Sequence, residues 1–555
     1  MAGTERIPDD EWRLDDESSK QEPRLAPPPT EIAFAADLSH QRLTRAVYVV
    51  TAEHLAWFVV GGYVLLTRMI ALGARPLDAP QARGALAAFV IAAHGRRAFA
   101  LADASWVTML EGWIFAAAGA TDANSRIIAM LCGLILVAAA FAMRLVLGRA
   151  GALAFAALIA ISPSMTYFSR GGSAAIASIA FMMIAIAIAD SMRRRPGVVR
   201  AAGLGVAIAL WTSADPIGYL TAASMIVSLF LVGVADGLRI DHRRLRIRVW
   251  WQRRRALVIV FAFVALGLWI LLTTAFFHRP LVASVEYWWY AAFAPPSIAF
   301  HGVAHSLLPI LVFYEFMMVV LAIVGAVAIV SGRIGDRFAV WSVAWAIVSL
   351  AMLASVAGNR SDAVVALVLP MALVAAYAVD WTHQSARWGS IRYGLAAAAA
   401  LTVYVQCVTN FIYPAPDASE APWRRHALLF WSEPATSIQT VGECARVRAA
   451  VSSAGATAMV PDDAPQVQWY LRDLTATDSP EAASIVVTVG ETQWGAEAGD
   501  PDGSRFGFEE WWAPDFHALT AARAIEFFFT QRVWSDVAIR NLEIAMAKPQ
   551  RKPNP

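Results

Sequence analysis

The sequence predicts a polytopic α-helical membrane protein of about eleven spans followed by a small C-terminal extracytoplasmic α/β domain, and three observations carry that prediction. Charged residues make up 16% of the 555 positions and hydrophobic ones 58%, whereas soluble domains carry roughly 25% charged residues. Mean hydropathy is +0.52. The apolar residues gather in runs close to the ~20 that a helix needs to cross a hydrocarbon core, and the arginines gather in short loops between them.

Counting by that rule places spans near 48–70, 124–146, 150–168, 173–191, 200–215, 217–236, 256–277, 304–331, 337–357, 363–380 and 393–413. Residues 1–45 are polar and rich in Asp, Glu and Pro, which reads as a disordered cytoplasmic tail rather than a secretory signal. The net charge of +2 gives no argument for nucleic acid. Of the three cysteines, Cys132 and Cys407 fall in apolar runs and Cys444 in the polar tail, so neither a disulfide framework nor a cysteine metal site follows.

Orientation comes from the arginines. With the N-terminus in the cytoplasm and 104–119 not crossing, the loops holding Arg144/Arg149, Arg193–Arg195, Arg239–Arg255, Arg333/Arg337 and Arg387/Arg392 all lie inside, as the positive-inside rule asks. The run 104–119, with Glu111 at its centre, is then an interfacial or re-entrant element; the alternative is a twelfth span that would export several of those loops. The outer face of a plasma-membrane protein so oriented collects 71–122, the turn 163–173, the loop 278–303 and everything after about 414. In the tail, the runs 441–453 and 518–530 read as helices, and Thr457–Val460 and Ser484–Val489 as strands of a separate α/β domain, 415–555.

The candidate chemistry sits in the first outer loop, Arg68-Met-Ile-Ala-Leu-Gly-Ala-Arg-Pro-Leu-Asp78. Asp78 can act as a base for an acceptor hydroxyl, and Arg68, Arg75, Arg170 and Arg279 are suited to a phosphate through their planar fork of donors. An aspartate before Ala-Pro is also a helix-cap or turn signal. The aromatics Tyr287 and Trp288 read as a headgroup-level belt or as a sugar-stacking platform. Glu53, Asp190 and Asp380 border cytoplasmic span ends, and Asp215 opens an Asp-Pro turn. Glu315 falls within a span and is expected to pair with a cation, His301, His305 and Arg279 being nearest in sequence.

Residues 68–186 resemble the N-terminal half of GT-C membrane glycosyltransferases of the protein O-mannosyltransferase and aminoarabinose-transferase type. The marks are Asp78, Gly119…Arg126 leading into a span, and Ile161-Ser-Pro-Ser-Met-Thr-Tyr-Phe-Ser-Arg170. The ordered set Tyr287-Trp288, Phe313-Tyr314-Glu315, Gln468-Trp-Tyr-Leu-Arg-Asp473 and Phe528-Phe-Thr-Gln-Arg-Val-Trp534 is similar to prokaryotic GT-C-like proteins described as flippase-activity-associated. The resemblance implies an extracytoplasmic site, a polyprenyl-phosphate sugar as donor, membrane lipid as surroundings, Asp78 as base, and no cofactor, a divalent metal being left open. It departs at Ala79, where the family has a second acid, at Gly171-Gly-Ser-Ala174, where it often has another, and at Thr212-Ser-Ala-Asp-Pro216, where a phosphate-holding lysine is missing. Two functions are then open: a glycosyltransferase moving a sugar to an extracytoplasmic acceptor, or a non-catalytic scaffold or accessory subunit of an envelope-glycan assembly or other membrane complex, with a membrane-protein partner.

Overall fold

The apolar runs form helices almost where the sequence puts them. The computed structural model describes residues 52–95, 105–237, 243–293, 307–356, 361–385 and 388–412, and of the tail 433–434, 457–462, 464–479, 483, 485–494, 505–512, 515–530, 534–535 and 537–546. The tail 1–45, the run 441–453, Cys444, His301 and His305 lie outside these residues. The chain divides into two units, Met1–Leu55 and Ala56–Pro555, and the helical body from Ala56 onward and the tail sheet belong to the second.

The helices are α1 (Ala52–Met69), α2 (Ala79–His94), α3 (Trp106–Ala118), α4 (Ile127–Ala142), α5 (Arg144–Ile161), α6 (Pro163–Arg170), α7 (Ala174–Arg194), α8 (Val198–Ala214), α9 (Ile217–Gly237), α10 (Arg243–Thr273), α11 (Leu281–Phe293), α12 (Leu307–Tyr314), α13 (Phe316–Val330), α14 (Arg337–Val356), α15 (Val364–His383) and α16 (Trp388–Cys407). Among the described residues seven helices are long and apolar enough to cross a membrane, and α3, α8, α13 and most of α14 are shorter apolar helices. At 13 residues and 1.5 Å per residue, α3 extends about 20 Å, short of a ~30 Å core. It pairs with α2 so closely that a Cβ on Gly112 would lie 2.7 Å from Ile91 Cγ2.

The central post is α15, where every residue from Val364 to Ala378 except Met371 is buried. Its backbone approaches α13 at Gly325, where a Cβ would lie 2.4 Å from the Val374 carbonyl oxygen. Between α9 and α14, Trp341 Nε1 donates to Ser228 Oγ (3.0 Å) and Trp345 Nε1 to Ser224 Oγ (3.2 Å), small hydroxyls joining helices where apolar burial gives little preference. At the end away from Asp78, carboxylates are satisfied locally: Asp190 pairs with Arg193 at 3.2 Å and with Arg194, and Tyr377 OH donates to Asp336 at 2.7 Å. Asp380 accepts from Gln384 Nε2 at 2.8 Å.

Two segments depart from the sequence reading. The turn expected at 163–173 is instead α6, buried from Pro163 to Ser169; Ser162 caps it and Pro163 starts it, a helix signal hidden by the polar look of Ser-Pro-Ser. The span expected at 304–331 is interrupted at Glu315, between α12 and α13.

The tail forms a six-stranded mixed sheet from β1 (Glu433–Pro434), β2 (Thr457–Met459), β3 (Thr475–Ala476), β4 (Ile485–Trp494), β5 (Arg505–Trp512) and β6 (Val537–Met546), in the order β1-β5-β6-β4-β2-β3. The β4–β6 and β5–β6 pairs are antiparallel, β2–β3 and β2–β4 parallel. Helices α17 (Pro465–Tyr470) and α18 (Ala521–Thr530) complete it. Strands β2 and β4 and helix α18 lie on the expected runs, and β5 and β6 are additions. The sheet shares its core with the helical body: Ile485, Val487, Val467 and Trp469 pack in one cluster with Leu77, Ala82, Ala85 and Phe115. Phe527 of α18 joins the bundle core, meeting the Phe313 ring at 5.2 Å.

Gly325→Val should therefore lower stability by about 1–3 kcal/mol through overpacking against α15. Gly61→Ala, where nothing lies within 4 Å, should stay within about 0.5 kcal/mol of wild type. Thermal unfolding in detergent compares the two.

Candidate functional site

The site grows from the end of α1. A helix leaves its last carbonyls without intrahelical donors, and the chain turns away at Ala71, held at φ 52°. Arg170, at the C-terminus of α6, supplies the missing donors: Nη1 bonds Thr67 O (2.7 Å) and Ile70 O (2.5 Å), and Nη2 bonds Ala71 O (3.3 Å). Its guanidinium also lies 4.3 Å from the centre of the Phe411 ring. A cation belongs at the negative end of a helix. Burial, and then the like charges of Arg75 and Arg126, pull its pKa down to about 10.

Arg126, buried at the start of α4, holds the following loop. Nη1 donates to Leu72 O (2.7 Å), and Nη2 to Pro76 O (2.9 Å) and Gln81 Oε1 (3.2 Å). Gln81 passes the connection to Asp78: its backbone N–H reaches Oδ1 at 2.8 Å and its Nε2 reaches Oδ2 at 2.6 Å. Asp78 is thus the N-cap of α2, with φ −73° and ψ 172°, as the Asp-Ala-Pro pattern allows. Arg75 lies 4.0 Å over the Tyr167 ring. Gly171 lies close by: a Cβ there would come 2.8 Å from Gln81 Nε2 and 3.3 Å from Arg75 Nη2, so those side-chain ends would have to shift.

Arg68 sits deeper, 1% exposed. Its Nη2 bonds Ile159 O at 3.4 Å, while Nε and Nη1 have no hydrogen-bond partner among the described residues. A Cβ on Gly133 of α4 would come within 3.1 Å of Nε. Below this meeting point α1 and α4 enclose an apolar groove of about 310 Å³, lined by Trp57, Gly61, Val64 and Leu65 on one side and Leu134, Val137, Ala138 and Phe141 on the other. Trp57, Gly61, Val64 and Arg68 fall on one helical stripe, Arg68 one turn beyond the groove's Val64.

Among the described residues, Glu315 is held by hydroxyl and backbone donors. Its Oε1 accepts from Ser162 Oγ (2.6 Å) and Ser164 N (3.0 Å), the first turn of α6, where free N–H groups and the helix dipole favour a carboxylate. Its described partners thus belong to a helix N-terminus, while the expected His301 and His305 lie outside the described residues. A second buried network adjoins α6: Gln406 donates to Ala160 O at 3.0 Å and to Thr166 Oγ1, and accepts from Tyr63 OH. It precedes a π-helical turn at Val408–Ile412, a form common at functional sites.

Of the residues singled out in the sequence, Arg68, Arg75, Asp78 and Arg170 share this junction, and Glu315 joins it through α6. Arg279 lies on the turn after α10. Tyr287 and Trp288 lie on α11, where Trp288 is buried against Tyr219 (ring centroids 6.1 Å apart) and Tyr287 is exposed. Sequence reasoning passed over Asp122, Gln81 and Tyr470. Trp469 Nε1 and Tyr470 OH donate to the two Asp122 oxygens at 2.7 and 2.8 Å. The Gln468…Asp473 motif was the available signal.

Arg126→Met should leave three acceptors without their donor and destabilise the protein by roughly 1.5–3 kcal/mol. Denaturant unfolding, with proteolysis mapped to 71–81, is the measurement.

No family model and no curated protein matches the sequence. Among solved structures the chain is similar to ArnT from Cupriavidus metallidurans, solved bound to undecaprenyl phosphate and in the apo state, with a TM-score of 0.51 and 14% identity over 87% of this chain and 97% of ArnT. An oligosaccharyltransferase from Archaeoglobus fulgidus aligns at a TM-score of 0.49 and 12% identity, over 78% of this chain and 67% of that one. The chain shares the fold of ArnT.

Proposed function

We propose that this protein is a membrane glycosyltransferase that moves a sugar from a polyprenyl-phosphate donor to an acceptor on the extracytoplasmic side, with its N-terminus in the cytoplasm and residues 415–555 outside. The supporting observation is the convergence of Asp78 with Arg68, Arg75, Arg126 and Arg170 at one end of the helical body. Asp78 takes the acceptor hydroxyl proton as the new bond to the anomeric carbon forms and the carbon–oxygen bond to phosphate breaks. Its two bonds to Gln81 orient the carboxylate. The leaving phosphate takes the electron pair, and its charge is held by arginine forks. Because the donors of Arg170 are engaged with helix carbonyls, that task falls first to Arg68. The apolar groove beneath Arg68 suits an isoprenoid tail, in keeping with the undecaprenyl phosphate bound by ArnT.

A second reading, a non-catalytic scaffold or accessory subunit, is favoured by one observation: Asp78 caps α2 and Arg170 caps α1, so both have structural work that needs no substrate. The test is turnover of a polyprenyl-phosphate sugar by the purified protein in mild detergent. Transfer should occur, and Asp78→Asn should reduce it at least a hundredfold, the order of a lost general base. Wild-type activity in Asp78→Asn would overturn the mechanism. A pure preparation without activity that recovers a stoichiometric membrane-protein partner would favour the scaffold.

A further inference from the structure

We infer that Tyr470 and Asp122 form a positioning pair through which the C-terminal domain sets the place of the Leu77–Asp78 turn. This rests on the reading of Asp78 as the base. Tyr470 OH donates to Asp122 Oδ2 at 2.8 Å and accepts the backbone N–H of Leu77 at 3.2 Å. Leu77 is fully buried in the core that holds Trp469, and it is the residue directly before Asp78. The phenol therefore joins a carboxylate at the foot of α4 to the backbone that leads into the α2 cap.

The rest of the motif fixes the phenol. Trp469 Nε1 takes the other Asp122 oxygen at 2.7 Å, and its ring packs 5.7 Å from that of Phe115. Arg472 lies 4.0 Å over the Trp469 ring, donates to Trp469 O at 2.6 Å, and ties the segment to Ala120 O at 2.7 Å. Burial first, and then the charge of Asp122, raise the Tyr470 pKa, so the hydroxyl stays protonated and keeps donating. The turn is consequently held from two sides: Arg126 grips its carbonyls at Leu72 and Pro76 from the helical body, and Tyr470 grips its N–H at Leu77 from the C-terminal domain. A reacting group displaced by about 1 Å loses roughly a hundredfold in rate, which makes such a two-sided grip consequential.

Tyr470→Phe in the full-length protein keeps the ring and deletes both bonds. Amide exchange across 72–78 should accelerate by about tenfold or more while α4, α7 and α15 stay as in wild type. With a polyprenyl-phosphate sugar as the probe, kcat should fall about tenfold or more, with the donor KM within about threefold. Asp122→Asn, which weakens the anchor of the same phenol, should act in the same direction and serves as the test if Tyr470→Phe does not fold. Unchanged exchange across 72–78 in a folded variant would overturn the positioning pair, whatever the activity. If 72–78 loosens but wild-type protein transfers no sugar, the pair stands and the enzymatic reading has failed.

Discussion

Three guanidinium groups crowd one junction, and the structure there is organised by the need to satisfy them. Arg75, Arg126 and Arg170 repel one another, and Arg68 lies within the field of Arg170. Water solvates such a cluster easily, but a helical body does not. The compensation comes from carbonyls at the end of α1, carbonyls in the 72–76 turn, the faces of Tyr167 and Phe411, and the carboxylates of Asp78 and Asp122. The loop conformation is thus a consequence of charge satisfaction, since each donor fixes a particular backbone oxygen.

Helix α6 transmits that constraint across the body. Its N-terminal N–H groups receive Glu315 and its C-terminal residue is Arg170, so an eight-residue helix is flanked by an acid and a base, each at the end its dipole favours. The interruption at Glu315 also makes a docking place. Phe313 and Phe316, on either side of it, receive Phe527, Phe528 and Trp534 from the tail, and Tyr404 OH donates to Phe529 O at 2.5 Å. With the Asp122 contact, the sheet domain meets the helical body at two places, one beside the Asp78 turn and one beside Glu315. The segments Phe313-Tyr314-Glu315, Gln468…Asp473 and Phe528…Trp534 all take part in these two contacts.

How far the sequence was legible depends on the kind of interaction involved. Apolar runs of ~20 residues announce helices because the bilayer sets their length, so the helical order was readable, and so was the Asp78 cap, whose signal is local. The role of Arg126 was not, because backbone carbonyls carry no residue identity and any turn could supply them. The bonds from Ser162 and Ser164 to Glu315 were unreadable for the same reason: a cation has a letter in the sequence, whereas a helix N-terminus built on Ser-Pro-Ser does not. Strands β5 and β6 were missed where Arg505-Phe-Gly-Phe-Glu-Glu-Trp-Trp mixes charges with aromatics and carries a register shift at Gly507/Glu509.

The lack of an acid beside Arg170 has a physical consequence in this geometry. No acid stands in Gly171-Gly-Ser-Ala174, and a side chain at Gly171 would displace the ends of Gln81 and Arg75. A carboxylate at that place would compete with Asp78 for Gln81 and neutralise Arg75. Without it, the junction keeps a surplus of positive charge, balanced largely by dipoles, whose hold on a cation is weaker than that of a full charge. Dipolar compensation leaves a field that an anion can still lower. Satisfaction is least complete at Arg68, with two nitrogens unbonded among the described residues on the same helix that lines the apolar groove.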